Sequence, residues 1–195
     1  MAGKRSIFED VGENTQQHAA PVGGMIDGAR KSARGAIRAW LMVLFAMVVV
    51  MIAVGGLTRR TDSGLSITEW RPITGALPPM SDADWQSEFD KYKQIDQWRI
   101  ENQWMQLEDF KVIYWWEWGH RQLGRAIGLV WAAGFAFFAI RRSIPAGWTG
   151  RLFLIGALGG LQGAIGWWMV ASGVTQGEGM TSVASYRLAT HLGLA

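Results

Sequence analysis

The chain has 195 residues, 49% of them hydrophobic, 12% aromatic and only 18% charged, with 25 Gly, 12 Trp and no Cys. So few charges, against about a quarter in ordinary soluble domains, argue against a soluble enzyme. The lack of Cys excludes a disulfide scaffold, a Cys-ligated zinc or iron–sulfur site, thiol catalysis and c-type haem attachment, and a dispersed net charge of +3 does not suggest nucleic acid as a partner.

The first 38 residues are polar. Within them Met1–Ala29 has no periodicity, so the expectation is an unstructured tail in which His18 is idle, with residues 1–35 forming a disordered cytoplasmic unit. The run Ala39–Leu57 (AWLMVLFAMVVVMIAVGGL) has no charged side chain and is long enough, at about 28 Å, to cross one hydrocarbon core. Its late start and the Arg residues after it indicate a retained transmembrane helix, not a signal peptide. Leu123–Ile140, with Arg125 inside it, and Leu152–Val170, with Gln162 inside it, read as second and third spans. Tyr186–Ala195 looks like the opening turns of a fourth. Ten residues cannot cross a bilayer that needs about 20, so the chain is expected to be a piece of a longer protein. The predicted fold class is all-α: an integral membrane helix bundle of three complete transmembrane helices plus the start of a fourth, with a long outer loop.

Basic residues set the orientation. Arg30, Lys31, Arg34 and Arg38 precede the first span, and Arg141, Arg142 and Arg151 join the second to the third, whereas the stretch from Thr58 to Trp118 carries eleven acids with Glu117 counted. The N-terminus is therefore expected in the cytoplasm and the loop outside. Trp40 and Trp148 would mark the inner interface; Trp115, Trp116, Trp118, Trp167 and Trp168 would mark the outer one. Thr58–Met80, rich in Gly, Pro, Ser and Thr, reads as turns and extended chain. Ser81–Ile95 starts on an N-cap candidate, Ser81, and sets Trp85, Phe89 and Tyr92 on one face of a short amphipathic helix. The aromatic content of the loop argues for order.

Two of the three His belong to spans: His120 at the outer end of the second, and His191 about one and a half turns into the fourth. The topology puts both near the outer face. Two inward imidazoles at one level can hold a metal or a haem between axial ligands; the competing reading is two interfacial His wetted by headgroups. Glu117, three residues before His120, shares its helix face and could orient the imidazole, act as an acid or base, or simply mark a wetted helix start. Arg121, Arg125 and Arg187 suit haem propionates, although Arg121 and Arg187 could equally snorkel to headgroups. Gly156/Gly160, Gly159/Gly163 and Gly124/Gly128 have the spacing of close helix packing, and Gln162 is expected to find a partner inside the bundle.

Four stretches, GGLTRRTDSGLSITEWRPITGALPP (Gly55–Pro79), FKVIYWWEWGHRQLGRAIG (Phe110–Gly128), GALGGLQGAIGWWMVASG (Gly156–Gly173) and YRLATHLGLA (Tyr186–Ala195), together resemble haem A synthase in the form found in alphaproteobacteria and mitochondria. The resemblance runs from about Ala36 to the end. It implies an eight-helix membrane enzyme built of two similar four-helix halves, of which residues 36–195 are the first, haem-binding half, cut short in its fourth helix. It implies oxidation of a methyl group of haem O to the formyl group of haem A for cytochrome oxidase biogenesis. By the same resemblance His120 and His191 are the axial ligands of the haem iron, Glu117 is the catalytic acid of the Glu-x-x-His arrangement, and Trp118 and Arg121 are haem surroundings. Haem b and the substrate haem O are the implied cofactors, one in each half, with the first half expected to take the substrate. Implied partners are the lipid bilayer, the haem O-producing enzyme and oxidase assembly factors; a homo-oligomer stays open. The sequence departs from the family in lacking the second half and the loop cysteine pair of some Gram-positive members. A bis-His haem b electron-transfer protein and a haem-free assembly subunit are the alternatives.

Overall fold

The computed structural model describes residues 25–175 and 179–195, with side chains from residue 33 onward. His18 and most of the expected tail lie outside those residues. Helix α1 covers Met25–Arg60, so it begins ahead of the expected tail boundary and runs past Leu57. Ala, Lys and Arg before the apolar run are good helix formers and prolong it, and Thr58 Oγ1 donates to Val54 O at 2.9 Å where the outer end closes. A single 3-10 turn at Thr74–Ala76 interrupts the segment expected to be wholly irregular. Helix α2 is Asp82–Tyr92. Ser81 Oγ accepts from the Asp84 N–H at 3.1 Å while Asp84 Oδ2 accepts from the Ser81 N–H at 3.1 Å, a reciprocal cap that satisfies two otherwise orphaned donors. Helix α3, Asp96–Ile100, is a five-residue element that periodicity did not reveal.

Helix α4 spans Leu107–Ile140. Its 34 residues measure roughly 51 Å, some 20 Å more than a hydrocarbon core. The excess is the outer stretch that the sequence reading left in the loop. Its signal is present in the sequence: Phe110, Ile113, Tyr114 and Glu117 fall at i, i+3, i+4 and i+7, and all four are buried. Helices α5, Thr149–Ala171, and α6, Ser185–Gly193, follow. No strand occurs among the described residues. Three helices are long and apolar enough to cross a membrane: Ala33–Arg60, Leu107–Ile140 and Thr149–Ala171.

Helix α1 packs on α4, α4 on α5, and α5 on α6, so each span lies against its neighbour. Trp40 is half-buried between helices: its Nε1 donates to Val130 O at 3.0 Å and its indole fills the space over Gly134. Trp131 does the same between α4 and α5, donating to Leu152 O at 3.0 Å and lying over Gly156. The glycine spacings are thus used in part. Gly134 and Gly156 admit indoles and Gly124 meets Met51, whereas Gly128, Gly159, Gly160 and Gly163 face open space.

The principal core is in the loop. Leu65, Ile67, Phe89, Tyr92, Ile95, Met105, Phe110, Ile113, Tyr114 and Val170 form one cluster, whereas only 11%, 6% and 0% of the apolar windows of the three spans are buried. The hydrophobic effect drives apolar groups together only in water, and lipid-facing side chains have no such incentive. Phe89 stacks on Phe110 at 5.0 Å and Trp85 meets Tyr114 edge-on at 5.1 Å, which seats α2 on the outer part of α4. Tyr92, fully buried, donates to Gln97 Oε1 at 3.0 Å and accepts from Asn102 at 2.8 Å. Burial pushes its hydroxyl up to about 12. The loop is a folded cap, as its aromatic content predicts.

Candidate functional site

Directly under this cap the two span histidines converge. His120 comes from α4 and lies against α1 at Gly55, where a Cβ would stand 3.2 Å from its Nε2. His191 comes from α6 and lies against α5 at Gly166, where a Cβ would stand 3.0 Å from Cε1 and 3.5 Å from Nδ1. Gly55 precedes Arg60, the last residue of α1, by five positions, and Gly166 precedes Ala171, the last of α5, by five. Each ring therefore sits over a helix about five residues from that helix's cap-side end. The Nδ1 of His191 is buried and has no hydrogen-bond partner in the chain. Gln162 Nε2 donates to the main-chain carbonyl of His191 at 2.6 Å, the partner expected for this lone polar side chain of α5.

Glu117 is 2% exposed and turned towards the cap. Its Oε2 accepts from Ser66 Oγ at 2.8 Å and from the Ile67 N–H at 2.7 Å; its Oε1 accepts from Arg121 Nε at 3.0 Å and Nη2 at 2.5 Å. Four donors around two oxygens match a carboxylate, which only accepts. Its hydrogen bonds go to these groups and not to His120, so the structure does not show it orienting the imidazole. The i, i+4 relation aligns Glu117 with Arg121 to within about 40° around the helix, whereas His120 is about 60° away.

The three arginines are also engaged. Arg121 donates to Ile67 O at 2.8 Å and Glu69 O at 3.2 Å besides Glu117, and its guanidinium lies 5.7 Å from the Trp167 ring. Arg125 donates to Pro72 O and Arg71 O, each at 2.9 Å, and to Gln122 Oε1 at 2.7 Å. Five positions after His120, it is turned about 140° from that ring and holds the cap. Arg187 donates to Trp168 O at 2.8 Å and Tyr186 OH at 3.0 Å. Trp118 packs against the core cluster and edge-on to Trp115 at 5.2 Å, and its Nε1 is buried without a partner. A cavity of about 400 Å3 opens within the cap, lined by Arg71, Lys91, Arg121 and Arg125 together with Glu69, Asp84 and Glu88; neither histidine lines it.

The structure thus seats His120 on α1 and His191 on α5, joins Glu117 to Arg121 in a second cluster, and engages Arg125 and Arg187 with main-chain carbonyls. The sequence reading missed Ser66, Ile67, Gly55 and Gly166, whose roles rest on contacts between residues far apart in sequence. The donor set fits a haem better than a bare ion. Among the described residues no three of His, Cys, Asp or Glu converge, and two imidazoles suffice only where the cofactor brings its own equatorial ligands. The orphaned His191 Nδ1 and Trp118 Nε1 mark polar groups whose hydrogen bonding the chain leaves incomplete.

Fold and histidine pair together define a multi-span helical membrane protein with an extramembrane cap and a paired-imidazole site beneath it. The sequence model of the cytochrome oxidase assembly protein family matches residues 38–195, and the chain belongs to that family. It is 76% identical over its whole length to the heme A synthase of Ruegeria pomeroyi, covering 51% of that protein. It is 70% identical over its whole length to the heme A synthase of Roseobacter denitrificans, of which it covers 51%. Over 98% of its length it is 66% identical to the heme A synthase of Paracoccus denitrificans, of which it covers 50%. The chain spans about half the length of the curated relatives it matches. No solved structure matches it.

Proposed function

We propose that this chain is the haem-binding first half of a haem A synthase, a membrane oxidoreductase that converts the methyl group of haem O to the formyl group of haem A for terminal oxidase biogenesis. The observation that carries the proposal is that α4 and α6 seat His120 and His191 over Gly55 and Gly166, each glycine five residues from the last residue of its helix. Haem would supply the iron centre and, as haem O, the methyl carbon to be oxidised. His120 and His191 would hold the haem iron. Gly55 and Gly166 let the imidazoles lie close to the helix backbones, and a side chain at either position would displace them. Trp118 and Arg121 form the nearby surroundings; Arg125 and Arg187 act through the main-chain carbonyls they hold.

Glu117 carries the acid/base role in this proposal. It is the buried carboxylate of α4, one turn from His120, and oxidising a methyl group to a formyl group requires protons to leave. Its four present donors mean that Ser66 or Arg121 must yield when it accepts a proton. The first half takes the substrate haem, and a haem b that passes electrons belongs to the other half. The basic residues Arg30, Lys31, Arg34 and Arg38 in the first part of α1, and Arg141, Arg142 and Arg151 where α4 connects to α5, support an N-terminus in the cytoplasm and a cap in the periplasm of a bacterial inner membrane. The haem O-producing enzyme and oxidase assembly factors are its proposed partners. The names of the relatives do not favour the electron-transfer alternative.

The test uses the full-length protein in a bacterial host that makes haem O but lacks its own haem A synthase, with extracted haems identified by mass. The parent is expected to yield haem A. His120→Ala and His191→Ala are expected to lose a haem component from the absorption spectrum and to leave haem O unconverted. Parental spectra and parental haem A in both variants would overturn the assignment.

A further inference from the structure

We infer that Gln162 is a positioning residue for His191, its side-chain oxygen accepting a hydrogen bond from the Nδ1–H of the imidazole when the other ring nitrogen would hold the iron; this rests on the haem-ligand reading of His191 above. Gln162 is a half-buried polar side chain in the middle of the apolar helix α5. Its Nε2 already donates to the carbonyl of His191 at 2.6 Å across 29 residues of sequence. Two atoms of this contact are buried and unpartnered: Gln162 Oε1, an acceptor, and His191 Nδ1. Gly166 stands one turn beyond Gln162 on the same face of α5 and leaves the His191 ring against the helix, where a Cβ would stand 3.0 Å from Cε1, 3.5 Å from Nδ1 and 3.6 Å from Nε2. A complementary donor and acceptor are therefore left over on two residues that already touch, in a setting where orphaned polar groups are costly.

The chemistry fixes which atom does what. An imidazole that coordinates through one nitrogen carries its proton on the other, and the partner of that proton sets the tautomer, the ring orientation and the basicity of the ligand. An amide oxygen at Nδ1 makes His191 a stronger electron donor and favours the oxidised iron. A merely structural Gln162, tying α5 to α6 through the main-chain bond alone, would leave the electronic character of the ligand unchanged.

The experiment compares Gln162→Met, which keeps the volume and removes both bonds, with Gln162→Glu, which keeps an acceptor oxygen, in the full-length protein. The readout is the reduction potential of the haem component that is lost in His191→Ala. Gln162→Met is expected to raise that potential, and Gln162→Glu to hold it at or below the parental value. An unchanged potential in Gln162→Met, or equal upward shifts in both variants, overturns the role of Gln162 alone. If Gln162→Met does not accumulate, a raised potential in Gln162→Glu overturns it and a parental or lower one supports it. A parent whose haem spectrum ignores His191→Ala overturns the ligand reading itself, and this inference with it.

Discussion

Replacing Glu117 by Ala removes the one acceptor shared by the Ser66 hydroxyl, the Ile67 N–H and the Arg121 guanidinium. The Ile67 N–H is left with no partner at a residue only 7% exposed, which costs about 1–3 kcal/mol. Ser66 keeps a weak bond to Ile113 O at 3.3 Å, and Arg121 keeps two main-chain carbonyls, so neither is wholly orphaned. Breaking a buried ion pair by removing one partner typically costs about 3–5 kcal/mol. Arg121 retains 18% of its side-chain exposure, which places the total near the lower end, about 3 kcal/mol. Glu117→Gln is expected to cost less but not nothing, about 1–3 kcal/mol, because its NH2 group faces a donor whichever way the amide turns. Denaturation of the full-length protein in detergent, followed by tryptophan fluorescence, measures the loss. Limited proteolysis between Ser63 and Arg71 reads whether the segment leaves α4. A Glu117→Ala protein with the parental midpoint and an uncut cap would refute the view that this carboxylate holds the loop.

Three further outcomes are expected. Gly166→Ala brings a methyl group to 3.0 Å from His191 Cε1 and should shift the haem absorption spectrum or lower haem occupancy, whereas Gly163→Ala, at a site facing open space, should not; equal effects would refute the packing argument. Gly134→Ala must displace the Trp40 indole and its bond to Val130 O, an overpacking loss of about 1–3 kcal/mol in thermal stability, while Gly128→Ala should be neutral or slightly stabilising. Tyr92 is raised from 10.0 to about 12 in the folded protein, so its stabilising contribution is fully present below pH 10 and is lost as the pH climbs through 12, by roughly 3 kcal/mol. Tyr92→Phe should flatten the stability profile over that window, with near-ultraviolet absorbance reporting tyrosine ionisation.

The reach of the sequence can be judged from particular elements. Ala39–Leu57 and Leu152–Val170 mark their spans within a few residues because an uncharged apolar run is a local property that a bilayer requires. The α2 helix follows from Ser81, Asp84 and the Trp85/Phe89/Tyr92 face, again all local. The outer part of α4 was hidden because it is amphipathic, and its stripe of Phe110, Ile113, Tyr114 and Glu117 lies beside a loop whose polarity dominates composition. The arginines show a related limit: a charge inside an apolar run signals a partner, but not which one. For Arg125 that partner is a pair of cap carbonyls.

Hydropathy, basic bias and helix period, all carried by neighbouring residues, were enough to establish an all-helical membrane chain, its spans and the presence of two span histidines on the loop side. Which groups meet was decided only by the packed chain. Glu117 turns to Ser66, Ile67 and Arg121, Arg125 reaches up to the cap, and Gln162 reaches across to His191. A side chain's partner depends on the rotation of its helix and on which neighbour lies opposite, and a difference of one residue turns it by about 100°. That rotation is set by cap packing and by indoles seated over Gly134 and Gly156, contacts between residues far apart in sequence.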